Sequence, residues 1–169
     1  PQDTNGSISL LAGDPLVQRE GVPGAQDRAF DLRRLHEQWM RDDWTGLAQC
    51  TGTFCAVHYK AESRAHTLMV DKFGLRPIYY WVGPNLVVFA TALRIIEQVH
   101  AVPLAADLRG VTEVATFGFP LGDRTAYSGI STMEAGQLIE VRSGGIRKAH
   151  YWRWDGLPAE RRDLQEGAG

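Results

Sequence analysis

The ten residues DKFGLRPIYY, numbered 71 to 80, decide the fold of this 169-residue chain. Gly74 predicts a turn with a positive φ angle, and Pro77 holds Arg76 in an extended conformation. We expect the carboxylate of Asp71 to cap backbone amides of this turn and to pair with Arg76. The segment therefore predicts a rigid corner between two buried strands. A phosphate-binding loop is the rejected alternative, because it needs more glycines and the start of a helix.

Strands predominate on both sides of this corner, and the alternation within them places Leu68 and Met69 on opposite faces of one strand. Gly46 is expected to end the first helix, residues 18–26 to form a loop and Asp107 to cap the last helix. Because hairpins rather than crossover helices join the strands, the chain predicts an α+β fold with antiparallel sheets. The pattern predicts strands at residues 7–12, 51–59, 65–71, 78–82, 86–90, 137–141 and 146–152, and helices at residues 25–44, 91–99 and 107–117.

Composition excludes several classes of function. The formal net charge of −2 gives no general attraction to nucleic acid or to anionic membranes, and no apolar run approaches the roughly 20 residues of a membrane span. Residues 1–6 are polar and lack the features of a secretion signal, so a cytoplasmic protein is expected. Cys50 and Cys55 are interpreted as two reduced, partly buried thiols, and a disulfide between them is the alternative.

Several segments together carry a resemblance to a known family. Residues 71–80 resemble the Asp-Arg-x-Gly-x-Lys-Pro-Leu-Tyr-Tyr segment of asparagine synthetase and its relatives. Residues 88–94, VFATALR, resemble the Phe-Ala-Ser-Glu-x-Lys segment that follows in that family. Residues 118–130, GFPLGDRTAYSGI, resemble its Gly-Tyr-x-x-Gly-x-Arg-Thr-x-Phe-x-Gly-Ile segment, and residues 134–136 mirror its Pro-Pro-Gly. Residues 52–56, GTFCA, fit its Gly-x-Phe-Ala-Phe strand.

The resemblance covers residues 46–152 and implies the fold of the class II glutamine amidotransferases. This is an N-terminal-nucleophile hydrolase-like sandwich of two antiparallel sheets between helical layers, here expected to be incomplete at the N-terminus. Residues 1–155 are interpreted as the glutaminase-like domain, and residues 156–169 as a linker towards an ATP-dependent synthetase domain absent from this chain. The family motifs are expected to act structurally here, through Asp71, Gly74, Arg76, Pro77, Tyr80, Arg124 and Gly129.

The family's ammonia-producing chemistry needs a cysteine at the mature N-terminus, whose thiol is the nucleophile and whose own amine is the base. This chain begins with Pro1 and contains no Cys-Gly-Ile sequence. Cys50 and Cys55 are internal and have no free α-amine, so both are rejected as nucleophiles. We therefore predict no catalytic residue in this chain.

The oxyanion hole of the family comes from the Asn-Gly of an Asn-Gly-Glu-Ile-Tyr-Asn segment. The best match here is a degenerate segment, Ala12, Gly13 and Asp14, in which Ala12 supplies no side-chain donor. Asp31 lies near the position of the carboxylate that holds the substrate's amino group. The Thr-Glu that should follow is replaced, however, so Asp31 is interpreted as a solvated helix carboxylate.

Other polar residues give no strong signal. Ser7 and Ser9 lack a paired His and Asp in the sequence, and the five histidines show no metal-ligand spacing, so no metal site is predicted. Ser143-Gly144-Gly145 is interpreted as a hairpin turn and not as the family's pyrophosphate loop. The aromatic residues Tyr151, Trp152 and Trp154 are equally compatible with a docking surface and with ordinary packing at a sheet edge.

Residues 10–17, LLAGDPLV, are similar to the corresponding stretch of lasso peptide cyclases within the same family. That similarity implies an enzyme in which ATP adenylates an Asp or Glu side chain of a peptide and the peptide's own N-terminal amine closes a macrolactam. ATP and Mg²⁺ are expected in the missing synthetase domain, with no cofactor in this chain. The expected partners are that domain, a precursor peptide and a maturation peptidase, with no nucleic acid and no membrane.

Two alternatives are also compatible with the sequence. The chain is a working glutaminase domain of an asparagine synthetase or a β-lactam-synthetase-like ligase if a nucleophilic cysteine precedes Pro1. It is a non-enzymatic module that binds a peptide or a partner protein if no adenylating domain accompanies it.

Overall fold

Two antiparallel sheets form the centre of the computed structural model, which describes residues 1–17, 28–143 and 145–156. In chain order, the strands are β1 (Ile8–Gly13), β2 (Phe54–Lys60), β3 (Ala65–Val70), β4 (Tyr79–Val82), β5 (Val87–Ala90), β6 (Ile130–Thr132), β7 (Gln137–Arg142) and β8 (Gly145–His150). The larger sheet has the strand order β1-β2-β3-β7-β8, and the smaller one has the order β5-β4-β6.

Helices cover the outer faces of both sheets. The larger sheet is covered by α1 (Arg28–Met40), and α2 (Thr45–Gln49) packs beside α1 and adds Leu47 to the same core. The smaller sheet is covered by α3 (Leu93–Ile96). A fourth helix, α4 (Leu108–Phe117), follows in the chain, and a single turn of 3₁₀ helix spans Trp154–Gly156. Asp107 caps α4 by accepting hydrogen bonds from the amides of Arg109 and Gly110, as the sequence predicts.

Alternation along the strands creates three separate cores. Met69 of β3 packs against Leu35 and Trp39 of α1. Leu68 and Val70, on the opposite face of the same strand, point towards the other sheet. Because successive side chains of a strand point to opposite faces, the same strand serves both layers. A third core, around Ile96, Val102 and Ile130, lies between the smaller sheet and α3. The α+β class and the helix–sheet–sheet–helix layering are therefore confirmed.

Some local predictions were wrong. Gly46 does not end a helix but lies inside the short helix α2, where a Cβ atom would clash with Oε1 of Gln38. Strand β6 was not predicted, because three residues give too short a pattern to recognise. The predicted loop at 18–26 and nearly all of the predicted linker at 156–169 lie outside the described residues. Cys50 and Cys55 are both free and buried, on opposite faces of the larger sheet.

The corner at residues 71–80 is organised by the carboxylate of Asp71, which is fully buried. Its two oxygens accept hydrogen bonds from four backbone amides at 2.9–3.3 Å, those of Phe54, Phe73, Leu75 and Arg76. Gly74 has a φ angle of +65° within this turn, as predicted. Arg76 meets Asp71 through its backbone amide, and none of the described ion pairs joins the guanidinium of Arg76 to this carboxylate.

The substitution Asp71→Asn should destabilise the domain by about 3 kcal/mol, because the new amide group faces backbone donors that then lose their acceptor. Urea unfolding followed by circular dichroism measures this change. The matched control is Asp14→Asn, whose side chain is 67% exposed and should shift the unfolding free energy by less than about 0.5 kcal/mol. Equal effects of the two substitutions would contradict the role assigned to Asp71.

Candidate functional site

A cleft of about 280 Å³ opens between the two sheets, beside β1 of the larger sheet and β5 of the smaller one. Its size falls at the lower end of small-molecule sites. Apart from the thiol of Cys55 and the hydroxyl of Thr91, its lining side chains are hydrocarbon. The lining residues are Leu10, Leu11, Ala12, Cys55, Ala56, Val57, Ile78, Phe89, Ala90 and Thr91.

Of the predicted oxyanion segment, Ala12 lines this cleft, and Gly13 and Asp14 follow beyond its lining. Ala12 pairs with Cys55 in the register between β1 and β2, and its methyl group supplies no hydrogen-bond donor. Gly13 follows with a φ angle of +94°, and a Cβ atom there would clash with the carbonyl oxygen of Thr53. This position therefore requires glycine. Asp14 is exposed and lies 3.9 Å from Arg28, a surface contact that contributes little.

Arg76 connects the corner to the cleft. Its guanidinium lies against Gly13, where an added Cβ atom would be 2.7 Å from Nε of Arg76. The positive charge acts to lower the pKa of the nearby Cys55 thiol, yet burial is the larger effect, so that pKa is raised overall. Burial also raises the pKa of Cys50, to about 12. Because the thiolate is the nucleophilic form, both cysteines are in the unreactive state at neutral pH.

The remaining motif residues do not line the cleft. Arg124 forms a two-pronged ion pair with Glu113 of α4, with N–O distances of 2.6 and 2.9 Å. This contact lowers the pKa of the Glu113 carboxyl to about 2. Gly129 adopts a φ angle of +80° beside Trp81 of the smaller sheet. Tyr80 is buried between the sheets, and Pro77 lies in the corner that leads to it.

Asp31 is not the solvated carboxylate that the sequence suggests. It lies in the first turn of α1 with only 4% of its surface exposed. It therefore lies under the helical layer that covers the larger sheet, and it is not one of the residues that line the cleft. The prediction failed because one helical turn of sequence does not reveal which of its carboxylates faces the sheet.

Sequence reasoning also missed a buried cluster formed by Ser9, His36 and His58. Oγ of Ser9 lies 2.7 Å from Nδ1 of His36 and 2.9 Å from Nδ1 of His58. Each of the three residues is at most 6% exposed. Nε2 of His58 has no hydrogen-bond partner, but its ring meets those of Trp39 and Trp44 edge-on. The three residues are 27 and 49 positions apart, so no local motif marks them.

This cluster joins α1 to the larger sheet and lies under the helical layer, away from the cleft. Burial lowers the pKa of both histidines, that of His58 to about 4. Both rings are therefore neutral at physiological pH. Within the core, the hydrogen bonds of Ser9 connect His36 of α1 to His58 of β2. In the part of the chain that the structure describes, no three His, Cys, Asp or Glu side chains converge as a metal site. No helix in these ranges is long and apolar enough to cross a membrane.

Comparison with known proteins adds a family and a solved structure. A family model described as a glutamine amidotransferase domain matches residues 32–152. No curated protein matches. Among the solved structures that match is glutamine phosphoribosylpyrophosphate amidotransferase from B. subtilis, complexed with ADP and GMP. It shares 10% sequence identity over 90% of this chain, with a TM-score of 0.47, and this chain spans 30% of its length.

The buried histidines predict that the domain loses stability on acidification. The unfolded state binds a proton at His58 below pH about 6.5, whereas the folded state does so only near pH 4, so the free energy of unfolding falls between these values. His58 alone should account for up to about 3 kcal/mol of this loss. Urea titrations at a series of pH values should therefore show a flatter pH dependence for His58→Gln than for the wild type. The control His100→Gln, an exposed position, should retain the wild-type slope. An unchanged slope for His58→Gln would contradict the burial of a neutral ring.

Proposed function

Because this chain belongs to the family of glutamine amidotransferase domains, we propose that it is a catalytically silent glutaminase-like domain of an ATP-dependent, amide-forming enzyme. The family match covers residues 32–152, which includes every strand except β1. In this proposal the domain keeps the family's sandwich as a scaffold and does not release ammonia. The amine that forms the new amide comes from the acceptor substrate instead.

The observation that carries the proposal is the methyl group of Ala12 beside Gly13 at the cleft. Glutamine hydrolysis passes through a tetrahedral adduct whose negative oxygen needs hydrogen-bond donors. The positive φ of Gly13 keeps the backbone geometry of the segment, but Ala12 offers no side-chain donor. Removing one such donor typically lowers the rate by about 10²–10³-fold. The thiol of Cys55, beside Ala12, does not replace the missing nucleophile, because burial raises its pKa and keeps it in the unreactive thiol form.

The contacts of the following residues support a structural role for the segment. The carbonyl oxygens of Pro15 and Leu16 accept hydrogen bonds from the amides of Gly52 and Thr51. Val17 is buried in the core beneath α1 and pairs with Cys50. The backbone of the segment and the side chain of Val17 therefore hold it against residues 50–52, which come just before β2. A substrate-binding loop would instead present polar groups to the cleft.

We place the parent enzyme in the lasso peptide cyclase branch, on the similarity of residues 10–17. There, a synthetase domain of the same protein would bind ATP and Mg²⁺ and adenylate a peptide carboxylate, releasing pyrophosphate. The N-terminal amine of the peptide would then displace AMP and form the amide bond. This reaction consumes no ammonia, so the lack of a side-chain donor at Ala12 would not lower the rate of amide formation. A precursor peptide and a maturation peptidase are the corresponding partners, and the cytoplasm, which supplies ATP, is the corresponding compartment.

The experiment uses the parent protein in full length and its Ala12→Asn variant, in which a side-chain amide is restored at the cleft. Neither should release glutamate from glutamine above the rate without enzyme, because burial raises the pKa of both Cys50 and Cys55 and keeps them in the unreactive thiol form. With a precursor peptide, ATP and Mg²⁺, the wild type should yield AMP, pyrophosphate and a peptide that has lost one water, measured by mass spectrometry. Glutamine hydrolysis by the wild type would overturn the silence of the domain. Amide formation that requires added ammonia would overturn the branch assignment and leave the silence intact.

A further inference from the structure

Three aromatic rings touch one another on the surface close to the last described residues. Phe73 comes from the corner at residues 71–80, and Trp152 and Trp154 follow strand β8. The ring centroid of Phe73 lies 5.8 Å from that of Trp152 and 5.3 Å from that of Trp154, and the two indole rings are 4.8 Å apart. We call these three residues the aromatic cluster. Because each ring touches both others, they form one continuous patch, although they come from distant parts of the sequence.

The aromatic cluster is largely exposed to solvent. Phe73 is 51% exposed, Trp154 is 61% exposed and Trp152 is partly buried. Tyr151, the neighbouring aromatic residue, instead packs against the core beneath α1, and its hydroxyl donates to the carbonyl of Val70 at 2.7 Å. The sequence alone is equally compatible with docking and with packing for these aromatic residues. The structure separates them, because Tyr151 faces inwards while Trp154 presents most of its ring to solvent.

Backbone contacts hold both segments that carry the aromatic cluster. The amide of Phe73 donates to Oδ1 of Asp71 at 2.9 Å, within the turn that this carboxylate organises. On the other side, the amide of Tyr151 donates to the carbonyl of Gly136, and a Cβ atom at Gly136 would lie 2.5 Å from the carbonyl oxygen of Trp152. The rings are therefore presented from fixed backbone positions. Tryptophans are enriched among the residues that contribute most to the binding of a protein partner.

Paired polar groups surround the two indole rings. A recess of about 300 Å³ beside the rings is lined by Glu134, Ala135, His150, Trp152, Arg153, Trp154 and Asp155. Nε2 of His150 lies 3.1 Å from the carboxylate of Glu134. The guanidinium of Arg153 donates to the carboxylate of Asp155 at 3.1 and 3.2 Å. An apolar centre within a polar rim is the arrangement of a protein–protein interface, and a rim whose groups already have partners needs no charged ligand.

The aromatic cluster is too small to hold a partner that diffuses freely. With side chains of roughly 200 Å² for Phe and 250 Å² for Trp, the exposed parts of Phe73 and Trp154 add up to roughly 250 Å². A stable interface between separate proteins buries about 800 Å² on each side. Interfaces between domains of one protein begin at about 600 Å² and are more polar, because the connecting chain already holds the domains together. The size of the patch therefore favours a covalently attached partner over a second copy of the chain.

We propose that the aromatic cluster is the docking surface for the domain that follows in the parent protein. Trp154 lies two residues before Gly156, the last described residue, and residues 157–169 come next. These thirteen residues span at most about 45 Å when fully extended, so a domain that begins directly after them is held near the cluster at a millimolar effective concentration. The identity of that domain as an ATP-dependent synthetase rests on the proposed function. The docking itself rests on the exposed rings and their distance from the following chain.

Hydroxyl-radical footprinting with mass spectrometry tests the proposal on the full-length parent protein and on residues 1–169. The oxidation rate of Trp154 should be at least about fivefold lower in the parent, because a ring that is 61% exposed enters the buried centre of an interface. The matched internal control is Phe119, which is 59% exposed and lies outside the aromatic cluster. Its oxidation rate should be the same in both proteins. Equal rates for Trp154 in the two proteins, or equal protection of Trp154 and Phe119, would overturn the docking.

The Trp154→Ala variant of the parent tests whether this ring holds the domains together. Small-angle X-ray scattering should show a larger radius of gyration for Trp154→Ala than for the wild type, whereas Phe119→Ala should match the wild type. An unchanged radius in Trp154→Ala would contradict the proposal. Sedimentation equilibrium of residues 1–169 should show a monomer. A dimer that Trp154→Ala dissociates would assign the aromatic cluster to a second copy and overturn the docking.

The outcomes also separate this inference from the proposed function. Protection of Trp154 in a parent protein that forms no amide with ATP and a precursor peptide would overturn the proposed function and support the docking. Amide formation by a parent protein in which Trp154 is oxidised as fast as in residues 1–169 would support the proposed function and overturn the docking.

Discussion

The carboxylate of Asp71 is the constraint on which the arrangement of the two sheets depends. It bonds the amide of Phe54 at the start of β2 and three amides of the turn that leads to β4, so one buried group links both sheets. The backbone of Asp71 extends the link, since its carbonyl also accepts the amide of Gly136 next to β7. A buried carboxylate is tolerable because each of its oxygens has two donors. The DKFGLRPIYY segment therefore connects the two sheets in addition to turning the chain. It also places the side chain of Arg76 against Gly13.

The layers of this fold follow from the sequence because they depend on alternation, a local property. Leu68 and Met69 face different cores, and neighbouring residues alone predict that difference. Features that depend on distant partners could not be predicted in this way. The cluster of Ser9, His36 and His58 brings three elements together, and the burial of Asp31 depends on how α1 is rotated against the sheet. The same limit applies to α4, where only the ion pair of Glu113 with Arg124 reveals which side of the helix faces inward.

In the proposed function, the neighbouring positions 12 and 13 meet different requirements. Gly13 is retained because its backbone conformation and the contact with Arg76 exclude any side chain, which is a demand of folding. In the proposed function, a donor at position 12 would serve only the developing oxyanion. Asp71 and Gly74, by contrast, have structural roles in the corner at residues 71–80. In that proposal, the absence of a donor at Ala12 affects the chemistry and not the fold.

The cleft and helix α4 lie in different layers of the domain. The cleft opens between the sheets, whereas α4 rests on a loop outside the smaller sheet and is fixed by Glu113 and Arg124. A partner on α4 would therefore leave the cleft open, and a ligand in the cleft would leave α4 free. The loop beneath α4 reaches both sheets, because the carbonyl of Asp123 accepts a hydrogen bond from the amide of Thr132 in β6 and its carboxylate accepts one from Nζ of Lys148 in β8. A displacement of α4 would therefore pass to the two sheets at Asp123, away from the residues that line the cleft.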